Sequence, residues 1–153
     1  MPLTIRRDDL SGTAIRALLE EHLQHMRSVS PPESVHALDL AGLDRPEITL
    51  WAAWDGATLA GCGALKALGA AHGEIKSMRS AQAYRGTGVG KALLAHIVAE
   101  ARRRGYARLS LETGAEDAFV PARELYASHG FTACAPFADY REDPNSVFMT
   151  RAL

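Results

Sequence analysis

Two cysteines in 153 residues, Cys62 and Cys134, leave no material for a disulfide framework, and no Cys-x-x-Cys pair offers a metal or redox site. They read as small buried hydrophobes of a reducing compartment. No apolar run approaches the ~18 residues that a membrane-spanning helix needs. The stretch from Met1 to Asp9 is polar and lacks the apolar centre of a secretion signal. A formal net charge of -1 removes the general positive field that gathers nucleic acid or an anionic membrane. The local basic run, Arg102-Arg103-Arg104, stands just before Gly105, where cations favour the last turn of a helix. The expectation is a cytoplasmic protein that meets neither nucleic acid nor membrane. Internal repeats and low-complexity tracts are absent as well.

What is present suits one domain, 1-153, with an ordinary soluble composition: 47% hydrophobic and 23% charged residues give enough apolar surface for a core without staples. Asp8 or Asp9 can cap a helix running to about Met26, with Ile15, Leu18, Leu19, His22, Leu23 and Met26 on one stripe. From Arg27 to Glu47 the chain is broken by Pro31, Pro32, Gly42 and Pro46 and has room for one short helix around Ser34 to Leu43. Strand-like runs cover Ile48 to Trp54 and Thr58 to Leu65, joined by the hairpin dipeptide Asp55-Gly56. A third strand spans Glu74 to about Arg79. Helices are predicted over Gly88 to Arg104 and Ala118 to His129, with Gly105 and Gly130 as their stops. The strand Ala107 to Thr113 lies between them, with Leu109 and Leu111 on one face, and short strands Phe131 to Phe137 and Ser146 to Arg151 follow. Trp51 and Trp54 fall on opposite sheet faces, as core and rim. The pattern is α+β around a mixed sheet.

The segment with most chemical content is Tyr84-Arg85-Gly86-Thr87-Gly88-Val89-Gly90-Lys91. It joins a strand end to a strongly patterned helix. Glycines let the backbone curl so that several N–H groups point at one spot, and the helix N-terminus adds partial positive charge. That is a phosphate cradle. The dinucleotide pattern G-x-G-x-x-G fails because the third glycine comes one residue early. The pattern G-x-x-x-x-G-K-[ST] fails because Arg85 takes the first glycine position and Ala92 follows Lys91.

Arg85-x-x-Gly88-x-Gly90 resembles the pyrophosphate-binding motif of GNAT acetyltransferases. Ala122-Arg123-Glu124-Leu125-Tyr126-Ala127-Ser128-His129-Gly130-Phe131 is similar to the family's second signature, A-x-x-L-Y-x-x-x-G-F. The order of elements matches over nearly the whole chain. One position departs: Phe119 stands where the family often has a cofactor-contacting asparagine, seven residues before the tyrosine. The resemblance implies a GNAT-like mixed, mostly antiparallel sheet flanked by helices. It also implies an acyltransferase that uses acetyl-CoA as co-substrate and acetylates an amine by direct attack in a ternary complex.

Residue by residue, the resemblance gives Arg85, Gly86, Thr87, Gly88, Val89, Gly90 and Lys91 to the pyrophosphate of coenzyme A. Met78, Arg79 and Ser80, on the strand before the loop, would pair with the pantetheine arm through their backbone. A backbone N–H near Met78 would hold the oxyanion. Tyr126 would protonate the departing thiolate; its other reading is a packed aromatic with its hydroxyl on the rim. Glu74 would serve as general base, or be a solvated strand start. If Glu74 faces the cleft, simple alternation puts Lys76 and Met78 on its face and Ile75 and Ser77 on the other. His22 and His25, at i and i+3, form either half of a metal clasp without a visible third ligand or a packed pair. His36 either lines a substrate pocket or is a plain loop residue. No metal is expected. The acceptor pocket falls to Arg27–Glu47 and Ala138–Val147, which carry no recognisable code. The leading acceptor is a small-molecule amine. Protein lysines or N-termini, and a non-catalytic acyl-CoA sensor, are the rivals, and assembly as a homodimer stays open.

Overall fold

Gly56, at φ +60°, turns Ile48–Asp55 (β2) back onto Thr58–Ala67 (β3), the hairpin that the Asp55-Gly56 pair predicts. The computed structural model describes residues 2–153, and it builds a seven-stranded mixed sheet around this hairpin. Before it come Thr4–Asp8 (β1), Thr13–Val29 (α1) and Leu40–Leu43 (α2). After it come His72–Ser80 (β4), Val89–Arg103 (α3), Arg108–Gly114 (β5), Val120–Ser128 (α4), Thr132–Cys134 (β6) and Ser146–Ala152 (β7). The strand order is β1-β2-β3-β4-β5-β7-β6, antiparallel throughout except for the parallel pair β4–β5. The expected α+β architecture is the one observed.

Three local expectations need correction. The polar segment before the first helix is a strand, β1, paired antiparallel with β2 at the sheet edge. Asp8 and Asp9 therefore do not cap α1. Their carboxylates accept the amides of Leu10 and Ser11 in the turn after β1, and the helix starts at Thr13 behind Gly12 and runs past Met26 to Val29. The final hairpin is shorter than predicted, because β6 ends at Cys134 and residues 135–145 leave the sheet. Cys62 is fully buried as expected, whereas Cys134 is half-exposed, and both thiols are free.

Helices cover both faces. On one face α3 buries Leu93, Leu94 and Ile97 against Leu65, Ile75, Leu109 and Leu111, and Tyr126 of α4 joins the same core. Each fully buried leucine or isoleucine here contributes on the order of 2 kcal/mol by transfer from water. The approach of α3 is close: a Cβ added at Gly61 would lie 2.7 Å from Val89 Cγ1, so only glycine fits there. On the other face Ile15, Leu18 and Leu19 of α1 and Leu43 of α2 pack on Leu50, Ala52, Cys62 and Ala64. Trp51 belongs to the first core and Trp54 borders the second, opposite faces as the alternation requires. The basic run closes α3: Arg103 pairs with Glu100, and Arg104 donates to Thr49 Oγ1 at 2.9 Å and lies over the Trp51 ring.

The feature that positions the site is a parting of strands. β4 and β5 pair only over His72–Glu74 and Arg108–Ser110, and beyond that they separate. The opening is shaped by a bulge in β4. Between the pairs Ala64–Lys76 and Cys62–Arg79, Ser77 and Met78 together face Gly63, with Ser77 at φ +53°. Alternation slips at that point. Glu74, Lys76 and Arg79 share the α1 face, while Met78 turns under Gly63 towards Ile97 of α3. Simple alternation had put Met78 with Glu74; the inserted residue moves it to the opposite face.

Candidate active site

The opening between β4 and β5 is a cleft of about 990 Å³, walled by the end of α1, residues 34–37, β4, the glycine loop, β5, α4 and Tyr140. At one end lies the loop from Arg85 to Lys91. A short turn, Gln82–Tyr84, precedes it, and Tyr84 donates its hydroxyl to Asp55 Oδ2 at 2.8 Å, pinning the loop to the β2–β3 hairpin. Gly88 adopts φ +94° at the N-cap of α3, a conformation that most side chains resist. Among the described residues, the amides of Gly86, Gly88, Val89, Gly90 and Lys91 donate to no backbone carbonyl. A Cβ at Gly86 or Gly88 would meet nothing within 4 Å, so a ligand can approach the bare backbone there. Gly90 instead abuts α4, 3.2 Å from Leu125 Cδ2. Free amides at a helix N-terminus, with Arg85 and Lys91 lining the same end of the cleft, suit a phosphate or diphosphate.

Met78, Arg79 and Ser80 form the wall that leads away from this cradle. β3 satisfies one edge of that strand segment; the edge towards β5 has no strand partner and is free to pair with an extended ligand. The Arg79 side chain does not reach along the strand. It turns to α1, donating to Glu21 Oε1 at 2.7 Å and to His25 Nδ1 at 3.2 Å. His22, one turn before, is buried at 8% exposure, and burial together with the Arg79 charge holds its imidazole down to about 4. Burial and Arg79 lower His25 as well. His22 and His25 are thus part of a packed α1–β4 contact with an arginine.

The far end of the cleft carries the ionisable side chains. Glu74 is 2% exposed, so it is not a solvated strand end. Its Oε2 accepts from Lys76 Nζ at 3.1 Å and from the Tyr140 hydroxyl, and Lys76 also donates to the Tyr140 oxygen at 3.1 Å. Tyr140 stands edge-on to His36, which lines the cleft rather than a bare loop. Burial raises the Tyr140 phenol and lowers the His36 imidazole. On β5, Glu112 accepts from Ser146 Oγ at 2.8 Å. Burial pushes its carboxyl up to about 7.

Tyr126, 6% exposed, packs edge-on against Phe131 and lines the cleft, and its hydroxyl has no hydrogen-bond partner among the described residues. Burial first, and then the Glu112 charge, raise its phenol. The packing reading and the cleft reading both hold for this side chain. Phe119 fills its position by packing: a Cβ on Gly114 would fall 2.1 Å from the ring. Three side chains of this end receive no chemical role from the sequence, although alternation puts Lys76 on the Glu74 face and Tyr140 lies within Ala138–Val147, the expected acceptor segment. Lys76 and Glu112 had a signal in strand alternation, since Leu109 and Leu111 face the core and Glu112 must face away. Tyr140 lies in an irregular segment without periodicity.

The profile of the acetyltransferase (GNAT) family matches residues 14–131. The chain belongs to the GNAT acetyltransferase family. It is 59% identical over 149 residues to an uncharacterized N-acetyltransferase, YsnE, of Bacillus subtilis strain 168, covering 97% of this chain and 99% of that one. It is 49% identical over 150 residues to an uncharacterized N-acetyltransferase, YedL, of Escherichia coli K12, covering 98% of this chain and 94% of that one. Among solved structures, a Klebsiella pneumoniae protein provisionally named an acyl-CoA N-acyltransferase superposes with a TM-score of 0.83 at 30% identity, over 99% of this chain and 97% of that chain. As a GNAT protein the molecule is an acyltransferase, and its fold is that of its structural relatives. Among the described residues no helix is long and apolar enough to cross a membrane.

Proposed function

We propose that this GNAT domain, 1-153, transfers an acetyl group from acetyl-CoA to the amine of a small molecule, with donor and acceptor bound together. The observation that carries the reading is the β4–β5 cleft itself, with free amides and cations at one end and buried carboxylates and phenols at the other. Arg85, Gly86, Thr87, Gly88, Val89, Gly90 and Lys91 would hold the diphosphate. The open edge of Met78, Arg79 and Ser80 would pair with the pantetheine arm, and a β4 amide beside the Ser77 bulge would face the acyl oxygen. When bound, acetyl-CoA supplies an activated acyl group whose thiol leaves. Positioning alone accounts for a large share of the rate gain in such a site.

Tyr126 is the proton donor to the leaving sulfur. Burial disfavours its phenolate, so Tyr126 would act by a hydrogen bond to the departing sulfur or by late proton transfer. Glu74 has a different part from the base that the family resemblance implies. An ammonium and a phenol already occupy its Oε2, and the side chain is only 2% exposed, so the carboxylate is committed to these two partners. It orients Lys76 and Tyr140 at the acceptor end. At that end His36 and Lys76 both pack against Tyr140, and we read this crowded lining as suited to a compact acceptor rather than a protein surface.

The donor half is tested by thermal unfolding with coenzyme A, NAD and ATP. Coenzyme A at a hundred times its Kd adds about 2.7 kcal/mol of stability, a shift of several degrees. An equal shift with NAD or ATP and none with coenzyme A contradicts the reading.

A further inference from the structure

We infer that Glu112 is the group that takes the proton from the incoming ammonium. The inference rests on the acyl transfer to an amine proposed above, and it names a residue for a step that neither the resemblance nor the relatives assign to it.

Glu112 projects from β5 beyond the last residue that pairs with β4, so it stands on the wall of the opening rather than inside the sheet. The antiparallel partner β7 holds it in place, through the backbone pairing with Phe148 and through Ser146 Oγ, which donates to Oε2. Oε1 accepts no hydrogen bond among the described residues, and it is not sealed from solvent as the unpartnered atoms of His22, Ser77 and Arg79 are. One oxygen is anchored and the other is available to the cleft. Glu74, one strand over, is the reverse: nearly sealed, and bound to Lys76 and Tyr140.

The groups that face Glu112 come from four elements. β7 gives Ser146, β4 gives Glu74 and Lys76, the segment before β7 gives Asp143, and α4 gives Tyr126. Burial is the largest influence and favours the neutral acid; Glu74 and Asp143 act in the same direction, while Ser146 and Lys76 oppose it. The outcome is a carboxylate that binds and releases a proton near neutrality, which is the condition for an efficient general base. Its charge also reaches Tyr126, so base and acid flank the same opening.

The protons balance. The ammonium gives one N–H proton to Glu112 Oε1 and becomes a neutral amine. Its lone pair forms the C–N bond as the C–S bond breaks with its electron pair on sulfur. Sulfur takes the Tyr126 proton, a second N–H proton restores the phenol, and Glu112 returns its proton to solvent through the open cleft. One proton leaves per amide formed.

The test compares wild type, Glu112→Gln and Glu74→Gln in kcat/KM from about pH 5.5 to about pH 9, with an acceptor amine more basic than that range. Wild type should show a limb with its midpoint near 7. Glu112→Gln should lose that midpoint, rising instead with the neutral fraction of the amine across the whole range, and fall ~10²-fold or more near pH 7, while Glu74→Gln keeps the midpoint. Glu112→Asp, which retains the acid on a shorter stem, should keep a limb at reduced rate. Independently of turnover, carbon-13 carboxyl spectra of the glutamate-labelled free protein should show a signal titrating near 7 that Glu112→Gln abolishes. A midpoint near 7 that persists in a folded Glu112→Gln enzyme, or no carboxyl signal titrating within about a unit of 7, overturns the inference. If wild type acetylates no amine, the acyl-transfer reading fails first, and the carboxyl spectra alone decide whether Glu112 is poised.

Discussion

Replacing His22 and Glu112 by glutamine, one at a time, should uncover two opposing pH dependences that the wild-type protein conceals. His22 has an ordinary imidazole value of 6.5 and is held at about 4 in the fold, chiefly by burial. Between those values the unfolded chain binds more protons than the native one, so this stability is fully present above 6.5 and is lost as pH falls towards 4. Glu112 behaves oppositely, with 4.5 as its ordinary value and about 7 in the fold. The native state binds the extra proton here, so stability is full below 4.5 and is lost as pH rises to about 7. Each displacement is about 2.5 units, from 6.5 to about 4 and from 4.5 to about 7. At ~1.4 kcal/mol per unit that is about 3 kcal/mol for His22, and roughly 1–3 kcal/mol for the less deeply buried Glu112. Between about pH 4.5 and about pH 6.5 the two slopes oppose each other in wild type. Urea unfolding at constant ionic strength from pH 4.5 to pH 7.5 separates them. Glu112→Gln should lose stability on acidification more steeply than wild type, and His22→Gln should gain relative to wild type over the same range. All other titrating groups cancel in the differences, provided that the sites do not couple. Three parallel curves would refute both assignments.

Gly88→Val should remain folded, because a Cβ there meets nothing within 4 Å, yet φ +94° adds ~1–2 kcal/mol of strain and the side chain occupies the ligand's approach. Coenzyme A affinity measured by calorimetry should fall at least ~10-fold, because the side chain blocks close approach of the diphosphate to the backbone amides. Tyr126→Phe should slow turnover ~10²-fold or more at unchanged coenzyme A affinity, and should barely alter the melting temperature, since the hydroxyl has no partner to lose. Lys76→Met removes the cation from the buried Glu74 carboxylate, leaving it only the Tyr140 hydroxyl, and should destabilise the fold by up to ~3–5 kcal/mol in chemical denaturation.

Much of the architecture was legible because it rests on local signals. Asp55-Gly56 fixes a hairpin, Gly105 and Gly130 stop helices, and the stripe from Ile15 to Leu23 marks the buried side of α1. What escaped depends on partners distant in sequence. Thr4–Asp8 becomes a strand because β2 presents an unpaired edge, which five residues with Ile5 as their one apolar member do not announce. Ser77 takes φ +53° because β3 places Gly63 opposite two residues, so the side of Met78 is decided by a neighbouring strand. The donor end of the site was readable because bare backbone requires glycine. The acceptor end was readable only as the segments Arg27–Glu47 and Ala138–Val147, because Lys76, Glu112 and Tyr140 acquire their chemistry from one another across β4, β5 and the segment before β7. Glu74 was visible as a carboxylate, but its engagement with Lys76 and Tyr140 exists only in the folded chain.

The most direct measurement is the fate of a labelled acetyl group. Acetyl-CoA carrying carbon-14 in its acetyl group is incubated with the protein and a whole-cell extract, and the extract is then separated into small-molecule and protein fractions. Label is expected in amides of the small-molecule fraction, with release of free thiol in equal amount, and both should fall ~10²-fold or more in rate with Tyr126→Phe. Label confined to the protein fraction, or coenzyme A binding with no label transferred to either, would contradict acyl transfer to a small-molecule amine.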